Sequence, residues 1–223
     1  MTFVSPSISA LTPSESIRYD PWNAAVMIID MQNDFCHPDG LMARLGNDVA
    51  NAHSALEKLV PFLRSAKRAG VPLVFIRNEH SPETDSEVWL DRNGDSKREQ
   101  SCKVGTWGAD FWRLAPNGSD KVVVKNRYSA FRSHEAHAVL QAMGRQSLLF
   151  TGVSTSMCVE SSVREAVCRD YLTTVVADCC ADYSASTHHR SLEAMSEGHA
   201  LVSNSHRIMD AWGRPRQTCT LQQ

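Results

Sequence analysis

Ala24-Ala25-Val26-Met27-Ile28-Ile29-Asp30 is an unbroken run of six apolar residues closed by a carboxylate. A strand with one wet face alternates apolar and polar residues. A strand buried on both faces, as a parallel sheet requires, reads as a continuous apolar run. Further along, Val71-Pro72-Leu73-Val74-Phe75-Ile76, Val122-Val123-Val124, Ser147-Leu148-Leu149-Phe150, Leu172-Thr173-Thr174-Val175-Val176 and a short Ala200-Leu201-Val202 read the same way. Residues 47–69 instead carry Val49, Leu56, Leu59, Val60 and Leu63 at helical spacing and stop at Gly70, a residue suited to a helix C-terminus. Residues 134–143, 157–169 and 185–197 read as further helices. Strands alternating with helices predict an α/β fold: a Rossmann-like open, mostly parallel sheet of about six strands with helices on both faces.

The length of 223 residues suits one such domain, expected over 21–223 after an irregular N-terminal arm at 1–20 rich in Ser, Thr and Pro. Twenty-five acidic against 23 basic residues leave a net charge of -2 without a dense basic run. That balance argues against nucleic acid or a membrane surface as partner, and leaves self-association into a homo-oligomer open. No apolar stretch approaches the roughly 20 residues that span a bilayer, and 1–20 lacks the basic and apolar regions of a signal peptide. The seven cysteines (36, 102, 158, 168, 179, 180 and 219) include no Cys-x-x-Cys pair. They read as reduced thiols of a cytoplasmic protein, not as a disulfide framework or zinc site. Residues 81–110 break the rhythm with a long polar stretch containing Asp91-Arg92-Asn93-Gly94-Asp95. A loop of that length is either an active-site lid or disordered.

Ligands of open α/β sheets bind beyond the carboxyl ends of the strands. Asp30 and Lys125 stand at two such ends, and Cys158 lies just past a third. Taken singly, an Asp there caps a turn, a Lys is a solvated charge and a Cys is a small core residue. Their surroundings change that reading: Ile29-Asp30-Met31-Gln32-Asn33-Asp34-Phe35, then Val124-Lys125-Asn126-Arg127-Tyr128-Ser129-Ala130-Phe131, then Thr151-Gly152-Val153-Ser154-Thr155-Ser156-Met157-Cys158-Val159-Glu160-Ser161. In content and order these resemble the signature segments of isochorismatase-like cysteine hydrolases, and the resemblance runs from about residue 20 onward.

The resemblance implies a catalytic set of Asp30, Lys125 and Cys158 cleaving a C–N bond of a small amide or ureido substrate through a thioester. The chemistry suits these residue types. A free thiol is only a few per cent thiolate at neutral pH and needs a base. Asp30 supplies one, Lys125 a cation to hold that base, and the start of a helix a field favouring an anion. The family pattern also implies an oxyanion hole from the backbone N–H groups of Ser154 and Cys158, with a cis peptide between Val153 and Ser154. Gln32, Phe35, Trp107, Arg127, Tyr128 and Phe131 are the expected substrate contacts, Arg127 facing a carboxylate and the aromatics forming apolar walls. Core packing and a solvated surface charge are the competing readings for these. The motifs are most similar to ureidoacrylate-type and N-carbamoyl amide hydrolases within the superfamily.

Three other readings stay open. An isochorismatase-type vinyl ether hydrolase uses the Asp as acid without the thiol. A nicotinamidase-like amidase carries a metal held by an Asp-x-His pair, but here the stretch is Arg77-Asn78-Glu79-His80, with Asn in place of Asp. A non-catalytic binding protein on the same fold needs no nucleophile. His134-x-x-His137 lacks zincin spacing and His188-His189 reads as surface, so no metal is expected, a weak site near His80 being the one open question. No Gly-rich phosphate loop follows a strand, so no cofactor is expected.

Overall fold

The computed structural model describes residues 11–91 and 101–213. Within them, six strands form one sheet: β1 (Ala24–Ile29), β2 (Leu73–Asn78), β3 (Lys121–Lys125), β4 (Ser147–Val153), β5 (Leu172–Ala181) and β6 (Leu201–Ser203). Every pairing is parallel and the spatial order is β3-β2-β1-β4-β5-β6. The helices are α1 (Pro13–Tyr19), α2 (Asn33–Cys36), α3 (Leu41–Arg44), α4 (Ala50–Ala69), α5 (Glu87–Asp91), α6 (His134–Ala142), α7 (Glu160–Val167), α8 (Ala185–Ser196) and α9 (Ser205–Trp212).

All six residues of β1 are fully buried, and alternate residues feed opposite cores. Ala24, Val26 and Ile28 pack with Leu56, Leu59 and Phe62 of α4 and Ile208 of α9. Ala25, Met27 and Ile29 pack with Leu140 of α6, Val163 of α7 and Met195 of α8. The unbroken apolar run is therefore the direct consequence of helices lying on both faces. Successive crossovers run one way from β1 to β3 and the other way from β4 to β6. The strand order thus reverses between β1 and β4, where such sheets open a crevice at their carboxyl ends.

Several boundaries differ from expectation. Residues 13–19, expected within an irregular arm, form α1. Thr12 accepts from the Glu15 N–H and its own N–H donates to Glu15 Oε2, at 3.2 and 2.8 Å, a reciprocal capping box with Pro13 at the first helical position. Residues 1–10 lie outside the described residues. The expected 157–169 helix is divided into a π-helical turn, Thr155–Val159, and α7. α9 was not foreseen; it holds α1 through paired Arg207–Glu15 hydrogen bonds of 2.9 Å and a Trp212 Nε1–Tyr19 O bond of 2.8 Å. Within 81–110, α5 forms, and 101–110 returns to the body through His80 N–Cys102 O and Asn33 N–Asp110 O. Residues 92–95 of the charged motif, and Cys219, lie outside the described residues. Among the described residues no helix is long and apolar enough to cross a membrane.

Candidate active site

The three strand-end residues meet. β1 ends at Asp30, whose φ of +49° is uncommon for a residue with a side chain and turns the chain off the sheet. Its N–H still donates to Ile76 O, at 3.1 Å. Its carboxylate, fully buried, lies 2.7 Å from Lys125 Nζ. Apart from that ion pair, neither carboxylate oxygen accepts a well-aligned hydrogen bond. Lys125, at the end of edge strand β3 and 2% exposed, also donates to Arg127 O at 2.9 Å and reaches Cys158 Sγ at 3.4 Å.

Cys158 sits in the π-helical turn after β4. Ser162 Oγ donates to its carbonyl at 2.6 Å and accepts from Ala130 N at 2.9 Å, tying the turn to the segment after β3. Asp182, just beyond β5, accepts from Ser156 N at 2.8 Å. Gly152 makes the close packing of β4 on β1 possible. Its φ is +106°, and a Cβ there would stand 2.0 Å from Ile29 O. The peptide between Val153 and Ser154 is cis, as the resemblance implied.

The electrostatics follow from burying three ionisable groups together. Burial raises the Asp30 carboxyl above its ordinary value, with Lys125 opposing. Burial acts to lower the Lys125 ammonium, but the charges of Asp30 and Cys158 outweigh it and the net shift is upward. Burial, reinforced by Asp30, pushes the Cys158 thiol well up. Burial and the neighbouring Asp30 carboxylate thus both favour the protonated form of the Cys158 thiol, while Lys125 favours the charged form.

Asp30 and Cys158 open into a cavity of about 260 Å³. Of the expected substrate contacts, Phe35, Arg127 and Tyr128 line it, as does Ser154 of the expected oxyanion hole. Three do not. Gln32 is fully buried, and its amide is consumed by Asn78 N, Asn78 O and Ala109 O at 2.7–2.8 Å. Phe131 is core, packed on Tyr171 with ring centroids 5.7 Å apart. Trp107 is 49% exposed, its ring edge-on to His37. Residues absent from the expected set also line the cavity, among them Trp89, Tyr183 and Asn78. Trp89, in α5, contacts Tyr128 at 5.0 Å, His80 at 5.5 Å and the Arg127 guanidinium at 4.6 Å. Its only sequence signal was an aromatic residue in a polar stretch.

His80, which also faces the cavity, is held by Asp85 with Nδ1–Oδ1 of 2.6 Å. Among the described residues no group of three His, Cys, Asp or Glu side chains is placed to hold a metal ion. His188, expected at the surface, is half-buried and meets Thr155 Oγ1 of the Cys158 turn at 2.8 Å.

The sequence profile of the isochorismatase domain matches residues 24–206. The chain belongs to the isochorismatase family. This isochorismatase-family hydrolase is 29% identical over 198 residues to the ureidoacrylate amidohydrolase RutB of Methylobacterium radiotolerans, covering 82% of this chain and 76% of that protein. It is 30% identical over 199 residues to the RutB of Rhizobium rhizogenes, covering 83% and 78%. Among solved structures it resembles an isochorismatase-like hydrolase from Alkaliphilus metalliredigens, with a TM-score of 0.69, 26% identity and coverage of 85% and 99%. The fold is shared with a cysteine hydrolase from Pseudomonas syringae pv. phaseolicola, with a TM-score of 0.76, 22% identity and coverage of 86% and 93%.

Proposed function

We propose that this isochorismatase-family chain is an amidohydrolase that cleaves a C–N bond of a small amide or ureido compound, with Cys158 as nucleophile. One observation carries the reading: a buried ammonium lies 2.7 Å from a carboxylate and 3.4 Å from a sulfur at the wall of a cavity. Similarity to RutB proteins, named as ureidoacrylate amidohydrolases, supports the substrate class.

Asp30 takes the thiol proton as sulfur attacks the carbonyl carbon, and Lys125 balances the charge on both groups. The tetrahedral oxyanion is met by the backbone N–H groups of Ser154 and Cys158, two residues that line the cavity. Asp30 returns the proton to the leaving nitrogen, the C–N bond breaks, and ammonia or an amine departs from an acyl- or carbamoyl-thioester. Water, deprotonated by the same carboxylate, then attacks the thioester and restores the thiol. These steps need no cofactor. The reading extends to a cytoplasmic homo-oligomer, supported by six described cysteines without a disulfide and by a net charge of -2.

Ammonia release from a panel of ureido acids, primary amides and nicotinamide tests the assignment. Turnover of at least one compound is expected, with Cys158→Ala lowering kcat by about 10⁴-fold or more. A Cys158→Ala protein that turns over at the wild-type rate overturns the mechanism.

A further inference from the structure

Asn78 stands at the carboxyl end of β2, in register with Lys125 on β3. It is 5% exposed, lines the cavity with Asp30 and Cys158, and its Oδ1 has no hydrogen-bond donor. A buried amide oxygen without a donor is costly, and in native proteins such an atom calls for an account. The backbone here is held with unusual care. Gln32 Oε1 accepts from Asn78 N at 2.8 Å, while Gln32 Nε2 donates to Asn78 O at 2.8 Å and to Ala109 O at 2.7 Å. One buried side chain thus fixes both polar backbone groups of Asn78, so the direction in which its side chain leaves the strand is set.

We propose that Asn78 is a specificity-determining residue whose Oδ1 accepts an N–H of the substrate's amide or ureido group, and that Gln32 is its positioning residue. The inference rests on the amidohydrolase reading and deepens it. The acceptor selects nitrogen compounds that carry an N–H next to the carbonyl and disfavours esters and fully alkylated amides, which leave Oδ1 unmet. A site built around a buried polar group rejects ligands lacking the complementary group far more strongly than an apolar wall does. The Asp30 carboxylate also faces the cavity as an acceptor, but it is engaged by Lys125 and consumed in proton transfer. Asn78 supplies a neutral acceptor that leaves this charge balance untouched.

The test reads ligand binding separately from turnover. Methyl methanethiosulfonate, which carries no N–H, labels Cys158, and mass spectrometry of its peptide follows the rate. Two ligands of similar size compete: 3-ureidopropionate, with ureido N–H groups, and monomethyl glutarate, with an ester in their place. The wild-type protein is expected to be protected by the ureide at a concentration about tenfold or more below that of the ester. Asn78→Leu abolishes the difference, each ligand's protection being taken relative to that variant's own labelling rate without ligand. Asn78→Asp, which keeps an acceptor oxygen, retains the preference, and Gln32→Leu weakens it. An Asn78→Leu protein that still prefers the ureide overturns the proposal, as does a wild-type protein without preference. Should Asn78→Leu not fold, loss of the preference in Asn78→Asp overturns it. Protection is read before the ligand is consumed, and failure of the amidohydrolase reading registers separately, as no ammonia release from the panel, while catalysis that survives Cys158→Ala marks failure of the cysteine mechanism.

Discussion

In the proposed mechanism Asp30 works only while ionised, because it accepts the thiol proton. Burial raises its carboxyl above 3.8, so the acid limb of kcat/KM is expected above the pH at which an ordinary Asp titrates. Activity is present above that raised value and lost as pH falls through it. Lys125→Met removes the cation that opposes the rise and moves the limb of any residual activity further up. The same change strands a buried carboxylate, a loss of about 3–5 kcal/mol, read by urea unfolding at neutral pH. A Lys125→Met enzyme with an unmoved acid limb shows that Asp30 is not the titrating base. At this scale the meeting of Asp30, Lys125 and Cys158 was legible because each sits in a short segment with a recognisable neighbourhood. Trp107 and Phe131 were not, since an aromatic residue beside a motif reads alike in a cavity, a turn or a core. Here His37 and Tyr171 took them.

Among the elements, β4 and its turn position Cys158, and Gly152 is the narrowest point. Gly152→Ala places a methyl group against the Ile29 carbonyl in a backbone conformation that disfavours side chains. A loss of at least about 1–3 kcal/mol is expected, together with lower kcat as β1 and β4 separate. Thermal unfolding and steady-state kinetics check it, and unchanged values for both show that the strands have room. Continuous apolar runs made β1 and β4 legible, and Gly70 ended α4 as expected. α1 escaped notice although Thr12, Pro13 and Glu15 spell its cap, because its Ser and Pro content suggested a loop. The π-helical turn had no sequence signal. It depends on Asp182 and His188, which arrive from elsewhere in the chain, and on Ser162 one turn further along the same helical segment.

For the molecule as a whole, alternating strands and helices revealed the class of fold, while the strand order and the reversal between β1 and β4 came only from the structure. So did the closure of α1 on α9, since Glu15 and Arg207 are 192 residues apart. The Arg207 hydrogen bonds hold the Glu15 carboxyl down, to about 2. That contact is therefore present above the ordinary carboxylate range and lost as pH falls toward 2.

Lys125 has one geometric consequence for the working life of the enzyme. It belongs to β3 yet pairs with the residue following β1, so its side chain must cross the end of β2, a span of two interstrand spacings of about 4.8 Å each. β3 is an edge strand, and Val122 and Val124 on its outer side are 38% and 40% exposed. Edge elements open more readily than the centre of a sheet, and a small outward slip of β3 withdraws the ammonium while the fold survives. Mild denaturant should then silence turnover reversibly at concentrations where circular dichroism still reports a native protein. Coincident midpoints for the two signals show that β3 yields only with the whole sheet.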